Sequence, residues 1–217
     1  MIQAIVFDFD GVLSDSEPLH RAAYQEVLGA IDVTLTRDEY YAHLLGYSDE
    51  DVFRLLGEQH GWNWNGGQIA DLITKKSEIF DRMVASGAVL YRSAPACIER
   101  LAARYPLGIA SGALRHEIHT VLTGAHLAHH FRFIVGAGDT PNSKPAPDPY
   151  VRAAELHGME PSACVAIEDS RWGIESAKSA GMKCVGITNS YPAAELSAAD
   201  RVIGSLDEFT EELIESL

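Results

Sequence analysis

Two aspartates that follow the first apolar run of the chain, Asp8 and Asp10, are the residues best placed to do chemistry. The run, residues 2–7, is rich in β-branched and aromatic side chains, which is typical of a strand buried on both faces. Residues two apart in an extended chain project to the same side, so both carboxylates face one crevice, after which Gly11 allows a sharp turn. Such a pair requires a cation or a shared proton, which indicates a metal site. The plainer interpretation, an ordinary exit from a strand, explains one acid better than two.

Ser111 and Lys144 supply groups that would meet an anion. Ser111 ends the predicted strand 107–111 and is followed by Gly112 and a helix, so its hydroxyl and nearby N–H groups would face an anion at a helix N-terminus. The alternative is an ordinary N-cap serine. Lys144 lies in a loop with three prolines, which restrict the backbone and hold one cation in place. A solvated loop lysine is the alternative there.

A second acidic pair, Glu168 and Asp169, follows another buried strand, residues 164–168. We expect Asp169 to repeat the position of Asp8 in a parallel neighbour, which brings a third carboxylate to the crevice. Asp169 could instead cap the helix that follows. Because carboxylate oxygens with octahedral waters are the ligands that Mg²⁺ prefers, the combined set predicts a magnesium site.

Alternating helices and strands in the second part of the chain predict the elements that position these residues. This alternation indicates an α/β core with a parallel sheet. The stretch 16–89, in contrast, shows only helical periodicity and helix-capping patterns. We therefore predict a core of residues 1–15 and 90–217, interrupted by an all-helical domain, 16–89, whose place beside the crevice suits a lid. The later strand patterns lie at 107–111, 133–136, 164–168, 183–187 and 202–203.

The composition limits the partners of the chain. Its 217 residues carry a formal net charge of −14, so neither a nucleic acid nor an anionic membrane would attract it. Three scattered cysteines are too few for a disulfide framework and fit a reducing cytoplasm. The amino terminus has no signal-peptide pattern, and no apolar run is long enough to span a bilayer. We predict a cytoplasmic protein and, because heptads are lacking, a monomer.

Phosphoryl transfer through an aspartate that accepts the phosphoryl group uses side chains of these kinds. The chain supplies two carboxylate pairs, one hydroxyl and one lysine for it. Four segments of the chain resemble, in order and spacing, the motifs of the haloacid dehalogenase superfamily of aspartyl phosphatases. They are Asp-Phe-Asp-Gly-Val-Leu, Ser111, Lys144-Pro, and Glu168-Asp169-Ser170. The helical insert resembles the small cap of the phosphoglycolate phosphatase and β-phosphoglucomutase branch of that superfamily.

The resemblance implies an α/β fold with a Rossmann-like three-layer core, a parallel sheet and an inserted all-helical cap. It implies that Asp8 attacks phosphorus, and that Asp10 protonates the leaving oxygen and then activates the water that hydrolyses the aspartyl phosphate. It also implies that Mg²⁺ binds Asp8, the backbone carbonyl of Asp10 and Asp169, with Glu168 as a ligand or a neighbour of the ligands. Catalysis then falls to Asp8, Asp10, Ser111 and Lys144, and substrate contact to Gly11, His20, Gly46, Lys76 and Gly112.

The cap distinguishes two activities within that branch. His20 and Lys76 match positions at which the mutases carry a hinge histidine and a phosphate-binding lysine, which favours a sugar phosphate. The mutases also have basic residues in the cap loop where this chain has Leu45 and Asp49, and an acidic loop would repel a second phosphate. We therefore predict a Mg²⁺-dependent phosphatase for a small phosphorylated metabolite, with a β-phosphoglucomutase-type mutase as the alternative.

Two alternatives of another class share part of this inventory. A phospho-accepting signalling receiver also has acids and a lysine at strand ends, but it is shorter and lacks a lid. A receiver also has no need of an acid placed like Asp10 to activate water. An inactive binding module on the same fold would not require the complete acidic set.

Overall fold

Buried apolar residues form the strands of one parallel sheet. The computed structural model describes residues 1–45, 47–84 and 89–217. Its strands are β1 (Ala4–Phe7), β2 (Leu107–Ala110), β3 (Phe131–Val135), β4 (Cys164–Glu168), β5 (Lys183–Ile187) and β6 (Arg201–Ile203). They pair in the order β3-β2-β1-β4-β5-β6, and every pair is parallel. The predicted α/β class is therefore confirmed.

The carboxyl ends of the central strands reach one edge of the sheet together. Phe7 at the end of β1 lies opposite Ile109 of β2 and Ile167 of β4. The chain runs outward from β1 through β2 to β3 and then returns to β4 on the other side of β1. Ligands of open α/β sheets bind at such a reversal, outside the carboxyl ends of the strands.

The largest difference between a predicted strand and its observed bounds is at β3. β3 begins at Phe131, two residues before the predicted Phe133. Its pairing with β2 contains a bulge, since Leu107 lies opposite Phe131 whereas Ile109 lies opposite Ile134. The extra residue breaks the alternation of buried and exposed side chains, and this hides the start of the strand from a pattern with a period of two.

The insert is helical throughout its described elements. They are α1 (Glu17–Gly29), α2 (Arg37–His43), α3 (Asp49–His60) and α4 (Gly66–Val84). The predicted capping box at Thr36 is complete, because its side chain and that of Glu39 cap each other's backbone N–H. At Ser48 the hydroxyl accepts from the N–H of Asp51. The apolar faces of α1 and α4 pack against each other, as the helical periodicity predicts.

Helices on both sides of the sheet complete the core. They are α5 (Ala94–Ala102), α6 (Arg115–Gly124), α7 (Asp148–His157), α8 (Arg171–Ser179) and α9 (Glu211–Glu215). Crossovers between parallel strands are right-handed, so α5 and α6, on the outward path, cover one face, and α7 and α8, on the return path, cover the other. Small and branched side chains of β1, β4, α7 and α8 interdigitate in one buried cluster. Across the described ranges, no helix has the length and apolarity to cross a bilayer.

Two compact units divide the chain. One comprises Met1–Asp15 and Val89–Leu217, and the other comprises Ser16–Ala88. In the first unit the two connecting segments are joined by hydrogen bonds, from the N–H of Asp15 to the carbonyl of Val89 at 2.7 Å and from the N–H of Tyr91 to the carbonyl of Leu13 at 3.0 Å. The insert therefore leaves and rejoins the first unit at a single place.

Candidate active site

Asp8 stands at the centre of a buried charged cluster at the carboxyl edge of the sheet. Its N–H donates to the carbonyl of Ile167 at 2.9 Å, which continues the pairing of β1 with β4 by one residue. Its side chain is largely buried, with 12% of the side-chain surface exposed. Because the sheet fixes the backbone here, the carboxylate is held by a rigid element and not by a mobile loop.

The turn after Asp8 depends on Gly11. The N–H of Gly11 donates to the carbonyl of Ser14 at 2.9 Å, and the N–H of Leu13 donates to the carbonyl of Phe9 at 2.9 Å. Gly11 has a φ of +75°, and any Cβ at this position would collide with the carboxylate of Asp169. Only glycine satisfies both requirements, so Gly11 lets the loop approach the acidic cluster. Its predicted contact with substrate stays a prediction.

Lys144 joins the two acidic segments. Its ammonium lies 3.0 Å from Oδ1 of Asp8 and 2.5 Å from Oε1 of Glu168, and its side chain is 13% exposed. Burial alone would lower the pKa of Lys144, but the negative charges of Asp8 and Glu168 outweigh it and hold that pKa above its usual value. The loop before α7 thus delivers a permanently charged cation to the end of β1.

Glu168, and not Asp169, stands level with Asp8. Phe7 pairs with Ile167, so the next residues in register are Asp8 and Glu168, and Asp169 follows one residue later. The prediction that Asp169 repeats the position of Asp8 was therefore wrong by one residue, because β4 continues through Glu168. Asp169 is also not the helix cap, since the N-cap of α8 is Ser170.

Three carboxylates converge despite that shift in register. One oxygen from each of Asp8, Glu168 and Asp169 lies within 4.8 Å of the other two. Burial, followed by the charge of Glu168, raises the pKa of Asp8 to about 7. Burial and the charges of Asp8 and Glu168 raise the pKa of Asp169 well above its usual value. Lys144 alone does not neutralise this cluster, and an all-oxygen donor set of net negative charge fits a hard divalent cation.

Asp10 lies in the turn and is partly exposed. It forms an isolated bridge with Ser14. The negative charge of Asp10 also raises the pKa of Asp8, although burial and the charges of Glu168 and Lys144 have larger effects on it. The two carboxylates therefore interact electrostatically. The contact predicted between a metal and the carbonyl of Asp10 stays a prediction.

Ser111 follows β2, the neighbour of β1, and is buried. Its N–H donates to the carbonyl of Val135 at 2.9 Å, and its hydroxyl accepts from the N–H of Ala113 at 3.2 Å. The helix α6 begins at Arg115, within one residue of the start that the sequence predicts, and the serine hydroxyl stabilises the short turn before it. Gly112 is exposed, and a Cβ added there would meet open space.

His20 and Lys76 lie close together within the helical unit. The His20 ring stacks on Phe80, with 4.2 Å between centroids, and the Lys76 ammonium lies 5.0 Å from the centroid of the same ring. Both side chains are buried. These contacts bring together the two cap residues that the sequence singled out. The predicted substrate contact at Gly46 lies outside the described residues.

Asp49 binds two buried partners in the helical unit. Its Oδ1 accepts from the Tyr24 hydroxyl at 2.5 Å, and its Oδ2 lies 3.1 Å from the Lys76 ammonium. The side chain of Lys76 is only 1% exposed. The cap lysine is therefore paired with a carboxylate, and together they carry no surplus positive charge.

Sequence reasoning missed two polar residues beyond β5, Asn189 and Ser190. The side-chain amide of Asn189 donates to the carbonyl of Gly11 at 2.7 Å, and the Ser190 hydroxyl donates to Oδ2 of Asp169. Both residues follow a strand that pairs with β4, so the rule that identified Ser111 and Glu168 also predicts them. Together they orient the first turn and the third carboxylate.

Tyr150 was also missed. It lies in the first turn of α7, is fully buried, and donates its hydroxyl to Oε1 of Glu168 at 2.6 Å. No sequence signal predicts this contact, because a tyrosine in a helix most often packs in the core.

Residues 5–187 match the family model of the haloacid dehalogenase-like hydrolases. The chain belongs to this family. It is 32% identical over 207 residues to the protein CbbY of Rhodobacter capsulatus, with 92% of this chain and 91% of the relative covered. It is 30% identical over 223 residues to hexitol phosphatase B of Escherichia coli, with 96% and 95% covered.

A solved structure extends the similarity. The chain superposes with a TM-score of 0.87 on a CbbY variant from Rhodobacter sphaeroides in complex with xylulose-1,5-bisphosphate, at 29% identity and with 96% of each chain covered. This likeness includes the helical unit as well as the core. The predicted membership in the phosphatase branch is confirmed, and the chain is a phosphoric monoester hydrolase.

Proposed function

We propose that this phosphatase hydrolyses the monophosphate of a small sugar or polyol, with Mg²⁺ and through an aspartyl phosphate on Asp8. The observation that carries the proposal is the Lys144 ammonium between Asp8 and Glu168, with Asp169 close by. A carboxylate that attacks a phosphate dianion must overcome mutual repulsion, and a fixed cation beside it lowers that barrier.

Asp8 is the nucleophile in this proposal. It lies at the end of a rigid strand, and Lys144 sits 3.0 Å from its carboxylate, where the ammonium would also contact a phosphate oxygen. The Ser111 hydroxyl, at the end of the neighbouring strand, would donate to another oxygen of the phosphate. The exposed backbone at Gly112 leaves room for the ester to enter.

Asp10 handles the protons. Its carboxylate is partly exposed and lies in the turn beside the nucleophile. In the first step it gives a proton to the leaving oxygen of the ester, and in the second it takes a proton from the water that attacks the phosphorus of the aspartyl phosphate. The two aspartates therefore have different tasks, although only one residue separates them.

Asp8, Asp169 and the carbonyl of Asp10 would hold the metal. Bound Mg²⁺ supplies positive charge that neutralises the phosphate and keeps the nucleophile ionised. Ser190 and Lys144 orient the ligands from the protein side, through Asp169 and Asp8 respectively. One oxygen of Glu168 lies within 4.8 Å of oxygens of Asp8 and Asp169, so this residue would be a further ligand or a neighbour of the ligands.

The helical unit is proposed to act as the cap that selects substrate and excludes water. His20 and Lys76 are its candidate substrate contacts. Because Lys76 is paired with Asp49, a substrate that reached this buried pair would meet hydrogen-bond donors without surplus positive charge for a second phosphate. Hexitol phosphatase B, one of the relatives, is named as a phosphatase of hexitols, which are polyols, and this supports the same class.

A second candidate is a sugar bisphosphate, or a mutase that passes through one. The complex of the CbbY variant with xylulose-1,5-bisphosphate favours it, and so do His20 and Lys76, which match the cap positions of the mutases. The acid at Asp49 argues against it, because a phosphate near this side chain would be repelled.

A substrate panel tests the proposal. Purified protein freed of metal would be assayed for release of inorganic phosphate, with and without Mg²⁺, from hexitol, hexose and pentose monophosphates, phosphoglycolate and sugar bisphosphates. We expect activity only with Mg²⁺, and the highest kcat/KM for a sugar or polyol monophosphate. Conversion of β-glucose 1-phosphate to glucose 6-phosphate, or a clear preference for a bisphosphate, would contradict it.

A matched pair of cap variants sharpens that result. Asp49→Asn removes the acid beside Lys76, and Asp71→Asn makes the same change at an exposed position of α4. We expect Asp49→Asn, but not Asp71→Asn, to lower the KM for bisphosphates by about tenfold, because the carboxylate that would repel a second phosphate is then removed. Equal behaviour of both variants would remove Asp49 from substrate selection.

A further inference from the structure

The Glu168 carboxylate is the point at which the site lysine meets the buried core. It is fully buried, and its Oε1 accepts from both the Lys144 ammonium at 2.5 Å and the Tyr150 hydroxyl at 2.6 Å. Tyr150 belongs to the apolar cluster between the sheet and the helices α7 and α8. A phenol hydroxyl in such a core requires a partner, and here that partner belongs to the active site.

Glu168 is also held from a third direction. Its Oε2 accepts from the Ser170 hydroxyl at 3.2 Å. The first turn of α8 packs so closely that a side chain at Gly173 would collide with the carboxylate. With donors from the lysine loop, α7 and α8 on its two oxygens, the carboxylate is oriented by the protein itself.

We propose that Tyr150 is a positioning residue for phosphate transfer. Its hydroxyl fixes the Glu168 carboxylate, and Glu168 in turn holds the Lys144 ammonium beside Asp8. Since Tyr150 is fully buried, it reaches the substrate only through these two residues. The inference rests on the proposed function, because Lys144 is the group that would contact the phosphate.

The ring and the hydroxyl of Tyr150 have different roles, which one substitution can separate. The ring fills the core and lies 5.1 Å from the Lys144 ammonium, a contact that phenylalanine would keep. The hydroxyl alone reaches Glu168. Tyr150→Phe therefore removes the proposed link and preserves the packing, and Tyr105→Phe makes the same change at a partly exposed tyrosine of the same unit.

The first experiment compares the two variants with the wild type on a generic aryl phosphate. We expect Tyr150→Phe to reduce kcat/KM about tenfold, as for the loss of one hydrogen bond to a charged group, and Tyr105→Phe to leave it unchanged. The Mg²⁺ concentration for half-maximal activity should stay constant, because the ligands themselves are untouched. The proposal would be overturned by wild-type kinetics in Tyr150→Phe. It would also be overturned if the only effect were a change in the Mg²⁺ concentration for half-maximal activity.

A double-mutant cycle tests the path through Glu168. In a Glu168→Gln background, we expect Tyr150→Phe to cause no further loss of activity, since the residue it positions is already altered. Equal losses in both backgrounds would show that Tyr150 acts by another route and would overturn the proposal.

Phosphate binding separates this proposal from the function it rests on. If the wild type hydrolysed no phosphomonoester, the proposed function would fail before any variant was made. Calorimetry with inorganic phosphate and Mg²⁺ would then still compare the affinities of the wild type and Tyr150→Phe. Weaker phosphate binding by the variant supports the positioning of Lys144, and equal affinity contradicts it.

Discussion

Two lysines, the buried Lys76 of the helical unit and the largely buried Lys144 of the core, have contrasting surroundings. Lys144 in the core faces Asp8 and Glu168, with Asp169 next to them, so acids outnumber the cation. Lys76 in the helical unit lies beside the carboxylate of Asp49 and the rings of Tyr24 and Phe80. The first cluster carries net negative charge, and the pair in the second is neutral.

The difference in charge suggests that the cluster in the core serves the reaction and the pair in the helical unit serves substrate selection. A cluster with surplus negative charge at a strand end is costly without a metal, and its charges are arranged to act on a reacting group. A neutral pair packed on aromatic rings is satisfied by itself and can offer a directed contact to a substrate without attracting anions in general. We therefore expect the core to determine the reaction and the cap to determine which ester undergoes it.

The largest difference between the two units should come from their aspartates. We expect Asp8→Asn to reduce turnover of an aryl phosphate by at least about ten-thousandfold, because a carboxamide does not replace the nucleophile. Asp49→Asn should change that turnover by less than about tenfold. Initial rates measure both, with the exposed Asp207→Asn as control. Comparable losses of turnover in Asp8→Asn and Asp49→Asn would contradict the assignment of the reaction to the core and of substrate selection to the helical unit.

The lysines give the next largest effect. Lys144→Met should lower kcat/KM for an aryl phosphate by about a hundredfold to a thousandfold, because the charge that stabilises the transferring phosphoryl group is lost. Lys76→Met should leave kcat for this small substrate within about tenfold and raise KM for the sugar substrate. Steady-state kinetics on both substrates, with thermal unfolding as a check on folding, makes the comparison. A larger loss of kcat in Lys76→Met would contradict it.

Metal binding should stabilise the core alone. Saturating Mg²⁺ relieves the repulsion among the buried carboxylates, and we expect it to raise the Tm by about 5 °C. Asp169→Asn should remove most of this shift, whereas Asp49→Asn should retain it. Differential scanning fluorimetry with and without EDTA provides the measurement, and a shift that survives in Asp169→Asn would place the metal elsewhere.

The smallest expected effect is the pH dependence of stability caused by His157, a buried residue of the core outside the site. Burial lowers the pKa of His157 to about 4, below the value near 6.5 of an exposed histidine. Between these values the unfolded chain binds more protons, so His157 is expected to cost about 2 kcal/mol of the free energy of unfolding as the pH falls from 7 to 5. The raised pKa of Asp8 acts in the opposite direction in the absence of metal.

Urea unfolding at pH 7 and pH 5 isolates this contribution. His157→Leu should lose less stability on acidification than the wild type, and His119→Leu, at an exposed position of α6, should behave like the wild type. An identical pH dependence in all three proteins would show that His157 is not the group responsible.

The residues at strand ends could be predicted because they depend on one simple rule. A buried parallel strand is a recognisable apolar run, and the residue behind it reaches the ligand edge of the sheet. Asp8 and Ser111 follow β1 and β2 as that rule requires, whereas Lys144 reaches Asp8 from the loop before α7. Register is finer information, and the sequence did not reveal that Glu168 instead of Asp169 lies level with Asp8.

Contacts that depend on packing could not be predicted in the same way. The hydrogen bond from Tyr150 to Glu168 depends on how α7 lies on the sheet. The pair of Asp49 with Lys76 depends on how α3 meets α4. The sequence identified Asp49 as unfavourable for a second phosphate, and the structure adds that the acid is already paired with the cap lysine.

The central claim, that Asp8 carries the phosphoryl group, is tested most directly by trapping the intermediate. Asp10→Asn would slow its hydrolysis, so substrate with a radiolabelled phosphate, Mg²⁺ and a rapid acid quench should leave label on the protein. We predict a label that is sensitive to hydroxylamine, lies on the peptide containing Asp8 and is absent from Asp8→Asn. Phosphate release without any labelled protein, or label on another residue, would contradict it.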